Sequence, residues 1–411
     1  MPSHPFVPLR HRSVRLLWGA AVISDIGTWV QLIVVGSLVA ADTGSALKTG
    51  LVALATFMPQ GIASPVGGLL ADRFDRRKVF ASALTAQAVI TSVLAVVLGT
   101  GVRNPIVLTA LILLASASGA TGAPSYAAMQ PDLVPPEELM QMVSLGVYSW
   151  NSGRVVGPII GSLLVLAVGP AWTISFNAFS FLVMAVAVLA LRQPFQPRGD
   201  GGTIRSRLAT GARALRGTPG CWHALRMLAL VNTMMVPFMG LIPIYVQRGY
   251  GGSTQMVGIV ASAQGIGAIA GGIVISILAQ RHPRSTLVVG SVSAASSMLL
   301  AYALAPNLGL VVVAIFFLGG TWSCLFISLS AVIQRDAPPD SRGRVMSLMQ
   351  ATFGITYGFG LLGIGVLGDL TDLHIAFSTG AVIAIVGFVA ITRRAPEWRA
   401  AINGHPIPDV A

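Results

Sequence analysis

Two charged residues, Asp25 and Arg154, lie within stretches of otherwise apolar sequence. A charge at the centre of a bilayer costs at least about 2.5–3.5 kcal/mol, so such a side chain must face protein or a water-filled cavity. A buried carboxyl group can load and release a proton, because burial and nearby charges set its proton affinity. We therefore expect Asp25 to exchange a proton, with Arg154 as its partner or as a contact for a charged ligand. A static polar contact that fixes helix packing is the alternative.

Further polar residues fall within apolar stretches and could line a cavity. They are Asn177 and five residues that we take as substrate-cavity candidates: Gln31, Asn151, Asn232, Gln264 and Gln350. Taken one at a time, such residues more often join helices through hydrogen bonds. In the seventh apolar stretch, three methionines and a phenylalanine could offer an adaptable apolar surface to varied ligands, or could simply pack or face lipid. Its members are Met234, Met235, Phe238 and Met239.

The elements that would position these residues are membrane-spanning helices. Of the 411 residues, 54% are hydrophobic and only 10% are charged, whereas a soluble domain carries about 25% charged residues. Apolar runs long enough to cross a bilayer, about 20 residues each, recur along the chain and predict an all-α membrane protein with twelve transmembrane helices. The predicted spans are 16–41, 50–71, 79–99, 105–129, 139–167, 171–191, 222–247, 254–280, 285–305, 307–334, 345–368 and 373–392.

The distribution of Lys and Arg predicts how these spans are oriented, since cytoplasmic loops carry an excess of both. With the N-terminus inside, 21 of the 26 fall in cytoplasmic segments, and only Lys48, Arg103 and Arg248 fall outside. The sequence therefore predicts a multi-pass protein of the cell (inner) membrane with both termini in the cytoplasm. The net charge of +12 follows from this distribution. We expect no nucleic-acid binding, which would need a clustered basic face.

Few residue patterns here would suit an enzyme, a cofactor or a metal. The sequence contains no Gly-x-x-x-x-Gly-Lys-Ser/Thr loop, which argues against an ATP-driven pump within this chain. The six histidines are scattered, and Cys221 and Cys324 show neither metal-ligand nor disulfide spacing. We therefore expect no catalytic residues, no cofactor and no metal site.

The two halves of the sequence resemble each other at an offset of about 203 residues: Gly67-Gly68 recurs as Gly271-Gly272, and Pro135-Pro136 as Pro338-Pro339. Such parallel repeats predict two pseudo-symmetric six-helix bundles that hold a substrate between them near the midplane. The predicted units are a cytoplasmic N-terminal tail at 1–15, bundles at 16–191 and 222–392, a basic cytoplasmic linker at 192–221 and a cytoplasmic C-terminal tail at 393–411. The arginines of the central loop are Arg192, Arg198, Arg205, Arg207, Arg213 and Arg216.

A second group of candidates follows the second predicted span. The chain there reads Gly67-Gly68-Leu69-Leu70-Ala71-Asp72-Arg73-Phe74-Asp75-Arg76-Arg77-Lys78. An acidic residue near several arginines can form an ion pair in one conformation and break it in another, although the arginines could instead only anchor the loop. The candidates for this conformational-switch loop are Gly67, Gly68, Asp72, Arg73, Arg76 and Arg77. The segment resembles the cytoplasmic-loop signature of the major facilitator superfamily, with Asp75 in place of the usual glycine.

The fifth predicted helix carries Gly153-Arg154-Val155-Val156-Gly157-Pro158-Ile159-Ile160-Gly161-Ser162. Glycines at four-residue spacing make a flat helix face, and a proline permits a bend. Gly153, Gly157, Pro158 and Gly161 therefore form either a packing face or an antiporter-like motif. The stretch resembles the antiporter signature of the superfamily's exporters, with Ser162 replacing a final glycine. Ala115 stands where drug-proton antiporters usually have an arginine on the fourth helix.

Together with the opening helix from Ile23 to Gln31, these motifs look closest to the enterobactin-exporter-like and macrolide-efflux-like permeases. The resemblance covers nearly the whole chain and implies the major facilitator fold and secondary active transport by alternating access. We expect a proton-coupled exporter of amphipathic small molecules, of the drug or siderophore class, which works as a monomer. Its partners would be a small-molecule substrate, protons and the lipid bilayer. An importer or symporter and a non-transporting membrane sensor stay open as alternatives, because fold does not imply function.

Overall fold

The chain folds almost entirely into helices. A computed structural model describes residues 4–191, 195 and 204–404, and describes 204–208 by their backbone alone. The α-helices in chain order are α1 (Arg12–Thr43), α2 (Ala46–Ile62), α3 (Ser64–Arg73), α4 (Arg76–Gly99), α5 (Pro105–Met129), α6 (Leu139–Leu189), α7 (Ile204–Arg216), α8 (Pro219–Met234), α9 (Phe238–Tyr250), α10 (Thr254–Leu278), α11 (Arg284–Ala303), α12 (Leu308–Asp336), α13 (Arg342–Leu370), α14 (Leu373–Arg394) and α15 (Trp398–Asn403).

The predicted transmembrane spans correspond to these helices. Within the described residues, ten helical stretches are long and apolar enough to cross a membrane. One of them, Pro136–Leu189, contains two predicted spans. They meet where α6 bends at Gly169, which has a φ of 80° and is followed by Pro170. The second predicted span is divided between α2 and α3, which are individually too short to be counted among the ten. An all-α membrane protein with about twelve spans is therefore confirmed.

The seventh predicted span is interrupted in the apolar interior. Helix α8 ends at Met234 and α9 begins at Phe238, with Pro237 immediately before it. A proline has no backbone N–H to donate and clashes with the preceding helical turn, so the helix cannot continue through it unchanged. The break places the N-terminus of α9 inside the bundle, where interrupted helices of transporters commonly meet their substrates.

The repeated glycine pair packs in the same way in both halves. A Cβ on Gly67 of α3 would overlap the backbone of Thr121 in α5, whereas a Cβ on Gly68 would meet nothing within 4 Å. A Cβ on Gly271 of α10 would likewise overlap the backbone of α12, whereas a Cβ on Gly272 would come no closer than 3.5 Å to another atom. Small residues allow membrane helices to approach this closely. The first glycine of each pair is therefore the one that the packing requires.

The segment between the halves contains a helix of its own. Helix α7 lies against the start of α13, where a Cβ on Gly211 would come within 2.9 Å of Leu348 and 3.1 Å of the Arg344 carbonyl oxygen. The predicted loop arginines Arg192 and Arg198 lie outside the described residues, as do the side chains of Arg205 and Arg207. The same holds for 1–3 and 405–411 of the predicted tails.

Candidate functional site

Asp25 and Arg154 make separate contacts. Ser149 Oγ donates a hydrogen bond to Asp25 Oδ2 over 2.5 Å, so this carboxylate is held within the first half of the chain. Arg154 Nε instead donates to Gln264 Oε1 in α10 over 3.0 Å. Among the described residues no ion pair within 4 Å joins the two side chains. Arg154 is therefore not the partner of Asp25 in this structure, and a contact with a charged ligand or a static contact between helices stays open for it.

Asp25 lies where α1 and α6 pack closely. A Cβ on Gly153 would come within 2.7 Å of the Asp25 carbonyl carbon, so a glycine is needed for the helices to meet here. Ser149, one turn earlier in α6, is buried, while Asp25 is partly exposed. Tyr126 of α5 lies close enough to interact electrostatically with the carboxylate. Asp25 is thus a carboxyl group with a nearby hydroxyl donor and partial access to the surroundings.

Arg154 reaches from α6 into the second half of the chain. Besides its bond to Gln264, its Nη2 lies 3.8 Å from Met239 Sδ in α9, and it interacts electrostatically with Tyr357 of α13. Gln264 and Tyr357 are each only 2% exposed. Helices from both halves of the chain therefore converge on one guanidinium.

Aromatic side chains extend from this cluster across both halves. Their ring centroids form a continuous series of contacts, from Trp150–Trp29 at 5.5 Å through Trp29–Phe57 at 6.1 Å to Phe57–Tyr357 at 5.6 Å. The series continues through Phe353 to Trp322 and Phe326. These seven residues, which we call the aromatic belt, are Trp29, Phe57, Trp150, Trp322, Phe326, Phe353 and Tyr357. Sequence reasoning missed the belt, because its members come from five helices spread over both halves of the chain.

The five polar candidates occupy different environments. Gln31 accepts a bond of 2.8 Å from Asn177, and Asn232 donates over 2.7 Å to the Phe353 carbonyl oxygen, so both join helices. Asn151 donates to the Val147 carbonyl oxygen in its own helix, and Gln350 is exposed. Gln264 is the one of the five that the structure brings to Arg154.

The glycine face of α6 packs on α1. A Cβ on Gly157 would come within 2.7 Å of Trp29, and a Cβ on Gly161 would come within 3.2 Å of Val30. The Pro158 carbonyl oxygen lies on the opposite side, 2.8 Å from where a Cβ on Gly258 of α10 would stand. The four candidate residues of this motif thus position α6 between α1 and α10, and Arg154 lies between Gly153 and Gly157 on that helix.

The candidate switch loop is tied to its own half of the chain. Asp75 accepts a 2.9 Å bond from the backbone N–H of Arg77, so it caps α4, which gives a physical reason for an aspartate at this position. Arg76 donates to the Ala128 carbonyl oxygen over 3.2 Å, and Arg77 donates to the Leu191 carbonyl oxygen over 2.7 Å. Arg73 is exposed, and Asp72 is partly buried at the end of α3.

At the opposite end of the bundle, one carboxylate joins the two halves. Asp369 at the end of α13 accepts hydrogen bonds of 2.6 Å from Ser45 Oγ, 2.6 Å from the N–H of Ala46 and 3.1 Å from the N–H of Leu47. Arg248 Nη1 lies 3.4 Å from the same carboxylate. We call these five residues the latch. A carboxylate is well placed at the N-terminus of α2, where backbone N–H groups lack helical acceptors.

Replacing the latch carboxylate is expected to loosen this end of the protein. Asp369→Asn removes a partly buried negative charge from the N-terminus of α2, which costs about 1–2 kcal/mol and would shift a two-state equilibrium roughly 5- to 30-fold towards separation of α2 from α13. Spin labels on cysteines placed at Arg103 and Pro306, both exposed, would report a longer distance. Asp372→Asn is the matched control, because Asp372 caps α14 within its own half. Equal distances in the two variants would contradict the latch.

Comparisons with known proteins agree on the class of molecule. The family described as transmembrane secretion effector, a branch of the major facilitator superfamily, matches residues 3–409. The multidrug efflux pump Tap of Mycobacterium tuberculosis is 29% identical over 404 residues, which cover 93% of each chain. Macrolide efflux protein A of Streptococcus pyogenes is 22% identical over 388 residues, 91% of this chain and 94% of that one. Among solved structures, the nucleoside transporter NupG superposes with a TM-score of 0.73 at 16% identity, covering 93% of this chain and 98% of that one.

Proposed function

The chain belongs to the transmembrane secretion effector family of the major facilitator superfamily, and from that premise we propose that it exports amphipathic small molecules in exchange for protons. Members of this superfamily are transporters rather than enzymes, which agrees with the sequence-based expectation. The similarity to multidrug and macrolide efflux pumps supports export of compounds of the drug class, and a siderophore is a second candidate cargo.

One observation carries the proposal: the Arg154–Gln264 hydrogen bond, next to the aromatic belt, joins the two halves in the middle of the protein. A cargo with an aromatic body and a polar end would contact both halves at once. If the halves rock about this point, the cargo site opens alternately to the two sides of the membrane.

Asp25 is the group that we propose to exchange the proton. Asp25 lies on α1, and Arg154 lies on α6, which packs against α1. Gly153 packs on the backbone of Asp25 and is adjacent to Arg154 in the chain, so a movement of α1 against α6 would affect both charged residues. Protonation would remove a charge whose burial in the membrane is costly. A proton on Asp25 and a cargo at Arg154 could therefore favour different arrangements of α1 and α6.

The membrane orientation and the division of the chain also belong to this proposal. We propose that both termini face the cytoplasm, that 16–191 and 222–392 form the moving bundles, and that one copy is sufficient for transport. The loop from Gly67 to Arg77 would then face the cytoplasm and the latch the outside. The structure would represent a state closed at its outer face, since the latch is formed.

Inside-out membrane vesicles with an acidified interior and no ATP provide the test. We expect at least one compound from a panel of a macrolide, a catecholate siderophore and a cationic dye to accumulate in vesicles that contain the protein, and a protonophore to abolish the accumulation. Vesicles without the protein are the control. Net loss of preloaded compound would instead indicate an importer, and no protein-dependent movement of any compound would favour a non-transporting sensor.

A further inference from the structure

We propose that the central site selects amphipathic aromatic anions, and that Arg154 recognises their acidic group. This inference rests on the proposed transport function and names the chemical class of its cargo. It follows from two features of the described residues: buried donors near Arg154 lack acceptors, and no carboxylate lies within 4 Å of its guanidinium.

The buried groups around Arg154 present N–H and O–H bonds that find no acceptor in the described part of the chain. Gln264 uses its amide oxygen to accept from Arg154, which leaves its Nε2 donor without a partner. The O–H of Tyr357, whose oxygen lies near the Gly240 backbone, also finds no acceptor, and in the adjoining aromatic belt the indole N–H of Trp29 has no partner. All three residues are at least nine-tenths buried. A buried donor without an acceptor costs about 1–3 kcal/mol, so a ligand that supplies acceptors would be favoured.

The first turn of α9 lies against the same groups. Met239 in that turn contacts Arg154, and a Cβ on Gly240 would lie 2.9 Å from the Tyr357 hydroxyl. The backbone N–H groups of Phe238, Met239 and Leu241 already donate to carbonyl oxygens of residues 235–237. The positive charge of this region is therefore that of Arg154 itself.

The acidic and acceptor groups nearest to this region are engaged elsewhere or lie apart from Arg154. Asp25 is bonded to Ser149 on the α1 side. Asn232 Oδ1 is a buried acceptor without a partner, but its amide nitrogen fixes it to α13 at Phe353 and Thr356. No carboxylate of the described chain lies within 4 Å of Arg154. A carboxylate, sulfonate or similar group on the cargo would supply the missing counter-charge and accept several of the donors.

The aromatic belt sets the rest of the cargo's chemistry. Trp29, Phe57 and Tyr357 follow one another at ring-centroid separations of 6.1 and 5.6 Å, which is within the range of favourable aromatic contacts. An aromatic ring of the ligand could add to this series while its acidic group reaches Arg154. The site therefore fits a molecule whose acidic head and aromatic body are adjacent.

Three naphthalene derivatives that differ only in their head group test the charge preference. Binding of radiolabelled 2-naphthoate to the purified protein would be measured and then competed with 2-naphthamide and with 2-naphthylmethylamine. We expect the acid to bind at least about tenfold more tightly than the amine, since hydrogen bonds to a charged group are among the stronger ones. Equal binding of the three, tighter binding of the amine, or no measurable binding of 2-naphthoate by folded protein would overturn the inference.

Variants assign the preference to Arg154. Arg154→Gln removes the charge, and Gln264→Glu places a carboxylate beside Arg154 in a side chain of nearly the same shape; both are expected to abolish the preference for the acid. Arg103→Gln is the matched control, because it removes the same charge from an exposed loop and should leave the preference intact. Elution as a monodisperse protein shows that each variant is folded. An unchanged preference in both Arg154→Gln and Gln264→Glu would overturn the assignment.

This test and the vesicle test can fail independently. Protein-dependent, proton-driven accumulation of a cationic dye, together with no preference for 2-naphthoate, would support export and reject the anion site. Selective binding of 2-naphthoate, with no protein-dependent accumulation in vesicles of either 2-naphthoate or any panel compound, would support the site and reject export.

Discussion

Gly67→Ala and Gly271→Ala are each expected to destabilise the protein by about 2–3 kcal/mol, whereas Gly68→Ala and Gly272→Ala are expected to leave its stability nearly unchanged. The added methyl group at the first position of either pair would overlap the backbone of the neighbouring helix. A backbone cannot move aside by changing a rotamer, so the two helices must separate and their packing must loosen. At the second position the methyl group meets nothing within 4 Å at Gly68 and only ordinary contacts of 3.5 Å or longer at Gly272, and alanine is intrinsically the better helix former.

The midpoint of thermal unfolding in detergent, followed by intrinsic fluorescence, measures this difference. Each pair contains its own control, since the same substitution is made at adjacent residues of one helix. Proteins of this size with two halves need not unfold in a single step, so the midpoints are compared directly. A midpoint for Gly67→Ala equal to that of Gly68→Ala would show that α3 and α5 do not pack as closely as described.

The hydrophobic pattern predicted the spans well, because a run of about 20 apolar residues is the length that a helix needs to cross a bilayer and is rare in soluble domains. The breaks within two of the predicted spans were missed for a related reason. Where apolar residues continue on both sides of a break in a helix, the hydropathy of the sequence does not change. The gap between α2 and α3 at Ala63, and the gap before α9 at Pro237, lie in such stretches. Pro59 and Pro237 were visible in the sequence, but prolines also occur within intact helices such as α6 at Pro158.

The candidate site could be predicted only in part. Asp25 and Arg154 stood out because charges are costly in a membrane, but the sequence could not tell whether they contact each other. Arg154 turns instead to Gln264, 110 positions further along the chain. The aromatic belt had no local signal, since neither spacing nor composition indicates which aromatic residues of different helices will meet.

Asp25→Asn is expected to abolish the exchange of protons for cargo. Asparagine has nearly the same shape and can still accept the hydrogen bond from Ser149 Oγ, but it cannot take up or release a proton at physiological pH. The packing of Gly153 on the Asp25 backbone involves no side-chain atom of residue 25, so the fold should be retained. Cargo binding should survive as well, because Arg154 and the aromatic belt are unchanged.

Asp42→Asn is the matched control for this substitution. Asp42 lies on the same helix, α1, but is exposed near its end. The chemical change is identical and the loss of one negative charge from the helix is the same. Any general effect of charge or expression level would therefore appear in both variants.

The most direct test of proton-coupled export measures proton movement in liposomes that contain the purified protein and an internal pH dye. A compound that accumulates in the vesicle assay is added outside under an imposed proton gradient. We predict cargo-dependent proton flux in the wild type and in Asp42→Asn, and a signal at the level of protein-free liposomes in Asp25→Asn. The same flux in Asp25→Asn as in the wild type would contradict the role of Asp25, and cargo movement without any proton flux in the wild type would contradict proton coupling itself.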